Sequence, residues 1–444
     1  MSRAAVIGLG YVGLTMAACL ASRGIETIGI DTDSQKIAAL ASGRSPIHEP
    51  RLKGLISRSI KAKTLKVTKH LKEALGNSET IFVTVGTPSL QDGSIDLSQV
   101  TSASESIGEA LRDVEGYHLI VMRSTVVPGT CDLTVKPLLE KTSEKTCGRD
   151  FGLCANPEFL KEGSAVQDML KPDRLIIGEY DRRSGDLLEK LYWRFYERDL
   201  PTVIRTTPAN AEMIKYANNA FLATKVSFIN MIANLCERIQ GCDVEKIAEG
   251  IGLDPRVGPL FLKAGLGWGG SCFPKDLKAI LAFAKGLSIE LPILDAALRV
   301  NMLQPLWAVQ TARKALGSLQ GRRIAILGLA FKPDTDDLRE AVSIRIIDHL
   351  LQEGALVNAY DPAAVQNARA VFGNRISYSS SAEECVRDAD CCILVTEWDE
   401  FKGVRPEDFK RLMRNPLVID GRRIYDPKKF SDSVEFYAVG LGGR

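Results

Sequence analysis

Residues 267–276 read GWGGSCFPKD, a cysteine set among residues with almost no side chain and followed at once by proline, lysine and aspartate. Pro274 suits the first turn of a helix that continues KDLKAILAFAKG, which puts Cys272 just ahead of a helix N-terminus. The partial positive charge of that terminus and the ammonium of Lys275 favour thiolate over thiol. The glycines admit backbone conformations closed to other residues and let a ligand approach the main chain. The stretch therefore reads as a reactive, uncovered thiol, against the plainer alternative of a free cysteine in a glycine turn.

Two other pairs carry acid–base potential. Lys215 and Asn219 lie four residues apart in a helical pattern, hence on one face, where they suit a hydrogen bond to a substrate hydroxyl and to the oxyanion left as its hydride departs. Asn218 and Asn219 are poor helix-interior residues, and such local inconsistency tends to mark function. Glu158 and Glu162 in NPEFLKEG form a second four-residue pair, and Glu158 directly follows a strand, where a general base would sit. Near the start, Gly8-Leu9-Gly10-Tyr11-Val12-Gly13 fits G-x-G-x-x-G between an apolar strand and an amphipathic helix, and Asp31 ends the next strand eighteen residues after Gly13. Strand, helix and acid together predict a dinucleotide site, with NAD preferred because Asp31 would repel a 2′-phosphate. An NAD site beside an activated thiol suggests two successive oxidations: a primary alcohol gives an aldehyde, the thiolate adds to it, a second hydride leaves, and water opens the thioester to a carboxylate.

The elements that must position these groups alternate between strand and helix. Strands at TIFVTVGTP, HLIVMRST and DFGLCANPE each end in a polar or Gly/Pro loop, as expected of a parallel doubly wound sheet with ligands at its carboxyl edge. Thr87, Ser124, Thr125 and Glu158 lie at such ends. From Thr207 to Gly241 the apolar spacing predicts one helix of about 33 residues and about 50 Å, capped by Thr207 and stopped by Gly241. Apolar groups occupy most of its circumference, so a homodimer built on it is expected. RRIAILGLAFKPDTDDLRE then opens a second nucleotide-type half in which Gly328 is followed by Ala330 and Phe331, an incomplete fingerprint suited to a nucleotide other than NAD. The predicted architecture is α/β, with two Rossmann-like doubly wound domains (1–205 and 306–444) joined by a central helical domain (206–305).

Bulk properties exclude several classes. A net charge of +2 gives no general attraction for nucleic acid, and no apolar run approaches the length that spans a bilayer. The ten cysteines show no C-x-x-C spacing, and the four histidines none suited to a metal, so neither a disulfide framework nor a metal site is expected. The cytoplasm is the expected location.

The successive motifs VIGLGYVGL, SPIHEP, VGTPS, NPEFLKEGSAVQDMLKPDRLIIG, AEMIKYANNAFLATKVSFIN, FLKAGLGWGGSCFPKD, GLAFKPDTDDLRE and DGRRIYDP resemble, in order and nearly end to end, those of the nucleotide-sugar dehydrogenases. The resemblance implies Cys272 as nucleophile, Lys215 and Asn219 at the reacting C6 oxygen, Asp276 supporting the thiol, and Thr125 with Glu158 positioning and activating water. It implies Glu162, Lys275 and Arg339 near NAD, with Lys36 beside Asp31. On the UDP-sugar it implies Phe159, Leu160, Lys161, Arg256, the run Phe261, Leu262, Lys263, Ala264 and Gly265, then Gly269, Lys332 and Arg422, with Arg256 reaching a neighbouring subunit. Trp268, STVVPGT, REAVS and Arg423 depart from the family's commoner residues without touching a proposed catalytic side chain. FLKAG and NPEFLKEG look more like the branch acting on UDP-glucose than those acting on GDP-mannose or N-acetylated UDP-sugars. A dehydrogenase that removes one hydride only is the alternative.

Overall fold

The computed structural model of the protein describes residues 3–443. The chain forms two compact units, Met1–Asn218 with Lys278–Gly286, and Asn219–Leu277 with Leu287–Arg444.

In the first unit, β1 (Arg3–Ile7), β2 (Glu26–Ile30), β3 (Leu65–Thr68), β4 (Thr80–Val83), β5 (His118–Met122), β6 (Phe151–Ala155), β7 (Arg174–Glu179) and β8 (Thr202–Thr206) form one sheet in the order 3-2-1-4-5-6-7-8. β4, β5 and β6 are buried at every position, because helices cover both faces of the sheet. The strand order reverses between β1 and β4, the crevice at which doubly wound sheets take ligands. The expectation of a wholly parallel sheet fails at one place: β7 runs antiparallel to β6. Between them the chain has only loops and the six-residue helix Ala165–Leu170, and no crossover carries it back to the far edge, as a parallel return requires. β7 and β8 do have a crossover helix, Arg182–Tyr196, and pair in parallel.

The second unit repeats the plan. β9 (Arg323–Leu327), β10 (Leu356–Tyr360), β11 (Ser377–Tyr378), β12 (Cys391–Leu394), β13 (Leu417–Asp420) and β14 (Glu435–Ala438) order as 11-10-9-12-13-14, all parallel. The loop after β9 copies the one after β1 in detail. Gly328 has φ +98° and packs against Thr396, leaving no room for a Cβ. Asp361, after β10, is buried and accepts five hydrogen bonds: from the Leu329 and Ala330 amides (2.7 and 3.0 Å), the Trp398 indole (3.1 Å) and the Ala363 and Ala364 amides (2.9 and 2.8 Å).

The long helix spans Pro208–Cys236, 29 residues. Thr207 caps it as expected, its hydroxyl accepting from the Asn210 amide at 3.3 Å. It stops at Cys236 rather than running on to Gly241, because the C-terminal segment occupies the place of a further turn. Gly442 lies so close to the Ile239 carbonyl that a Cβ would sit 2.0 Å from it, and Glu237 turns aside to accept from the Gly440 amide at 2.9 Å.

Candidate active site

In the first unit the glycine motif divides its labour. Gly8, at φ +90°, makes the turn against Thr84; a Cβ on Gly13 would lie 2.0 Å from the Gly8 carbonyl, so its bareness lets helix Tyr11–Ser22 close on β1. Gly10 differs in having nothing within 4 Å of its Cβ position, which leaves the backbone open to a phosphate at the helix N-terminus. Asp31 accepts from the Leu9 amide (2.8 Å), the Asp33 amide (3.0 Å) and the Lys36 ammonium (2.7 Å). Burial works to raise its pKa, but Lys36 and the two amides hold it below the ordinary value, so the carboxylate is charged. The open Gly10 backbone and a charged acid at the end of β2 fit a dinucleotide with an unphosphorylated ribose.

Thr87, Ser124 and Thr125 lie beyond β4 and β5, Ser124 donating to the Val85 carbonyl at 2.7 Å. Glu158 and Lys215 are both buried and form an ion pair at 3.0 Å, while the same ammonium donates to the Glu158 carbonyl at 2.7 Å and stands 5.3 Å from the centre of the Phe159 ring. Burial pushes the Glu158 pKa up, but the Lys215 charge and the Leu160 amide outweigh it, and the net shift is downward. The unit therefore holds an ionised carboxylate and an ammonium in mutual contact. Thr125, Lys215 and Glu212 line one small cavity. Phe159 and Leu160 are half-buried, Lys161 is exposed with its amide on Asp168, and Glu162 is half-buried.

In the second unit Cys272 is half-buried and directly precedes helix Phe273–Gly286, its carbonyl accepting from the Asp276 amide at 2.8 Å to close the first turn. Asp276 is buried between two donors, the Asn219 amide at 2.6 Å and the Lys275 ammonium at 2.6 Å. Lys275 thus brings its charge to the start of this helix already paired. Two of the surrounding glycines are required by close packing. A Cβ on Gly269 would meet the Glu340 carbonyl at 2.3 Å, and one on Gly270, at φ +82°, would meet the Phe331 ring at 2.7 Å. Neither position has room for a side chain, because the 331–341 loop stands where a Cβ would lie. Arg339 is exposed, its guanidinium on Asp337 and its carbonyl accepting from the Gly270 amide at 2.9 Å. Lys332 stands over the Phe331 ring.

Phe261 to Gly265 runs with Leu262 and Ala264 buried and Lys263 exposed. Arg422 reaches this segment, donating to the Gly267 carbonyl at 3.2 Å and pairing with Glu397 at 3.3 Å. Arg256 is exposed and pairs with Asp254. Eight of the ten cysteines are buried, and burial pushes Cys19, Cys147 and Cys385 up to about 12. Cys242 and Cys272 are the half-buried pair.

Comparison with known proteins gives the family. The UDP-glucose/GDP-mannose dehydrogenase family's NAD binding domain matches residues 2–196, its central domain 209–302 and its UDP binding domain 325–427. UDP-glucose 6-dehydrogenase TuaD of Bacillus subtilis is 42% identical over 98% of this chain and 92% of its own. The chain belongs to the UDP-glucose/GDP-mannose dehydrogenase family. NAD is its cofactor. Among solved structures, a UDP-glucose dehydrogenase from Pyrobaculum islandicum superposes with TM-score 0.92 at 36% identity, covering 99% of this chain and 98% of that one. A UDP-D-ManNAc dehydrogenase from Pyrococcus horikoshii gives 0.86 at 29% identity and 99% coverage of both.

Several residues that hold this family member's site escaped the sequence reading. Asn230 accepts from the Gly265 amide at 2.8 Å, Gln304 donates to the Gly265 carbonyl at 3.0 Å, and Asn301 brackets the Trp268 backbone at 2.7 and 2.9 Å. Buried amides in otherwise apolar helical stretches were the available signal, the same inconsistency noticed at Asn218 and Asn219. Arg123, donating to Asn156 at 2.6 Å behind Glu158, gave no such signal.

Proposed function

We propose that this protein oxidises the C6 hydroxymethyl group of UDP-glucose to the carboxylate of UDP-glucuronate, consuming two NAD and one water and releasing two NADH. The observation that carries the reading is Cys272, half-buried at a helix N-terminus four residues before Asp276, which is buried between Asn219 and Lys275. Lys215 and Asn219 hydrogen-bond the C6 oxygen and stabilise the negative charge that develops on it. Bound NAD supplies the acceptor for each departing hydride and would be held by Gly8, Gly10, Tyr11, Val12, Gly13, Asp31, Lys36, Thr87, Ser124 and Thr125, with Glu162, Lys275 and Arg339 near it.

The Cys272 thiolate adds to the aldehyde carbon, which places a hydride on a tetrahedral centre; loss of that hydride leaves a thioester. Water positioned by Thr125 and activated by Glu158 breaks the carbon–sulfur bond, returning the thiolate, and Asp276 steadies the thiol site through Asn219. The uridine diphosphate and sugar rest on Phe159, Leu160, Lys161, the 261–265 run, Gly269, Lys332 and Arg422, with arginine and lysine suited to the diphosphate. The long helix leaves Phe221, Phe228, Met231 and Leu235 exposed at steps of seven, three and four residues, along one side. A second copy of the chain covers that stripe in the proposed homodimer, to whose neighbouring site Arg256 contributes.

Counting NADH against UDP-glucose consumed tests the reading. Two per sugar is expected, and one would establish the single-hydride reaction instead. The likeness to the Pyrococcus horikoshii UDP-D-ManNAc dehydrogenase favours a second reading, oxidation of an N-acetylated UDP-sugar. A panel of UDP-glucose, UDP-N-acetylhexosamines and GDP-mannose, compared by kcat/KM, separates the two.

A further inference from the structure

The SPIHEP stretch has no part in the chemistry above, yet its glutamate is buried. Glu49 is 6% exposed and accepts at both oxygens. Its Oε2 takes the Tyr11 hydroxyl and, at 2.7 Å, the Gly163 amide; its Oε1 faces the Val166 amide at 3.4 Å. The Tyr11 hydroxyl itself accepts from the Gly163 amide at 3.0 Å, closing a three-way junction. A second link runs alongside, from the Arg51 guanidinium to Gln167 at 3.1 Å.

The junction ties together parts far apart in sequence. Tyr11 is the first residue of the helix whose N-terminus, at the open Gly10, is suited to the dinucleotide phosphates. Gly163 directly follows Glu162 and ends NPEFLKEG, the loop that carries Glu158, Phe159 and Lys161. A carboxylate can accept from a hydroxyl and two amides at once because it presents two acceptor oxygens and no donor. Glutamine offers one such oxygen and turns an N–H group toward donors.

We propose that Glu49 is a positioning residue that fixes the helix start of the NAD site and the 158–163 loop in one geometry, so that cofactor affinity depends on a side chain outside the glycine motif. The inference rests on the reading of the NAD site. Fluorescence titration with NADH alone tests it without turnover, so its outcome is independent of which sugar is oxidised. Glu49→Gln and Tyr11→Phe are each expected to weaken NADH binding about five- to tenfold, the scale of one ordinary net hydrogen bond. The double variant is expected to be no weaker than Glu49→Gln alone, because both changes remove the same junction. In steady state, Glu49→Gln is expected to raise KM for NAD by more than it lowers kcat. NADH affinities within twofold of the parent, or losses that simply multiply in the double variant, would overturn the proposal. If Glu49→Gln yields no folded protein, Tyr11→Phe decides by itself: a fivefold loss supports the junction and an unchanged affinity refutes it.

Discussion

Cys272 is the thiol proposed for the covalent step. Most of the others are buried, with pKa values driven upward by loss of solvation, whereas Cys272 is half-buried against the positive end of a helix. Cys272→Ser keeps size and shape but offers a hydroxyl in place of a thiolate. Acid formation is expected to fall by roughly 10³-fold or more, with NADH affinity within about twofold of the parent. Chromatographic yield of the uronate checks this, and an unchanged yield removes the nucleophile assignment. At this scale the sequence was informative wherever chemistry and local spacing coincide, as at Gly10, Asp31 and the Cys272 helix start. It did not show why Gly269 and Gly270 must lack a side chain, since their neighbours come from residues 331–341, a proximity that no local pattern encodes.

Glu212 shows what an element of structure adds. It sits in the first turns of the long helix and accepts from the Gly129 and Cys131 amides, at 2.6 and 2.9 Å, thereby fastening the loop that follows β5. Burial pushes its carboxyl up to about 7, with the amides and Cys131 opposing and Asp132 adding to the rise. The folded protein therefore binds this proton more tightly than the unfolded chain, whose value lies near 4.5. The resulting stability is complete below about 4.5 and is lost as pH rises through about 7. Glu212→Gln cannot lose the proton, so its stability should decline less between pH 5 and 8, by up to about 3 kcal/mol. Urea midpoints at the two pH values measure this, and parallel curves for parent and variant would refute it. The long helix was legible from its apolar spacing and its threonine cap, but its end was not, because Cys236 is the last helical residue only on account of residues 440–443.

For the molecule as a whole, the exposed Phe221, Phe228, Met231 and Leu235 mark the face on which the homodimer is proposed. Phe228→Glu places a charge within the proposed dimer contact and is expected to shift the protein to a monomer at micromolar concentration in light scattering. A dimer as tight as the parent's would move the interface elsewhere. The alternation of strand and helix made both sheets readable, and the incomplete glycine motif separated the second from the first. The reversal at β7 was not readable, since strand direction depends on how the chain crosses the sheet and not on the strand's own residues.

The near-duplicate loops after β1 and β9 differ in one countable respect. A carboxylate has about four lone-pair directions. Asp361 meets five donors from its own chain, whereas Asp31 meets three among the described residues. The same acid at the same point of the same topology is saturated in one sheet and retains spare accepting capacity in the other. The proposed reading of a ribose by Asp31 thus turns on the valence left on a single side chain, and grafting the glycines of the first loop onto the second would leave Asp361 with nothing to offer.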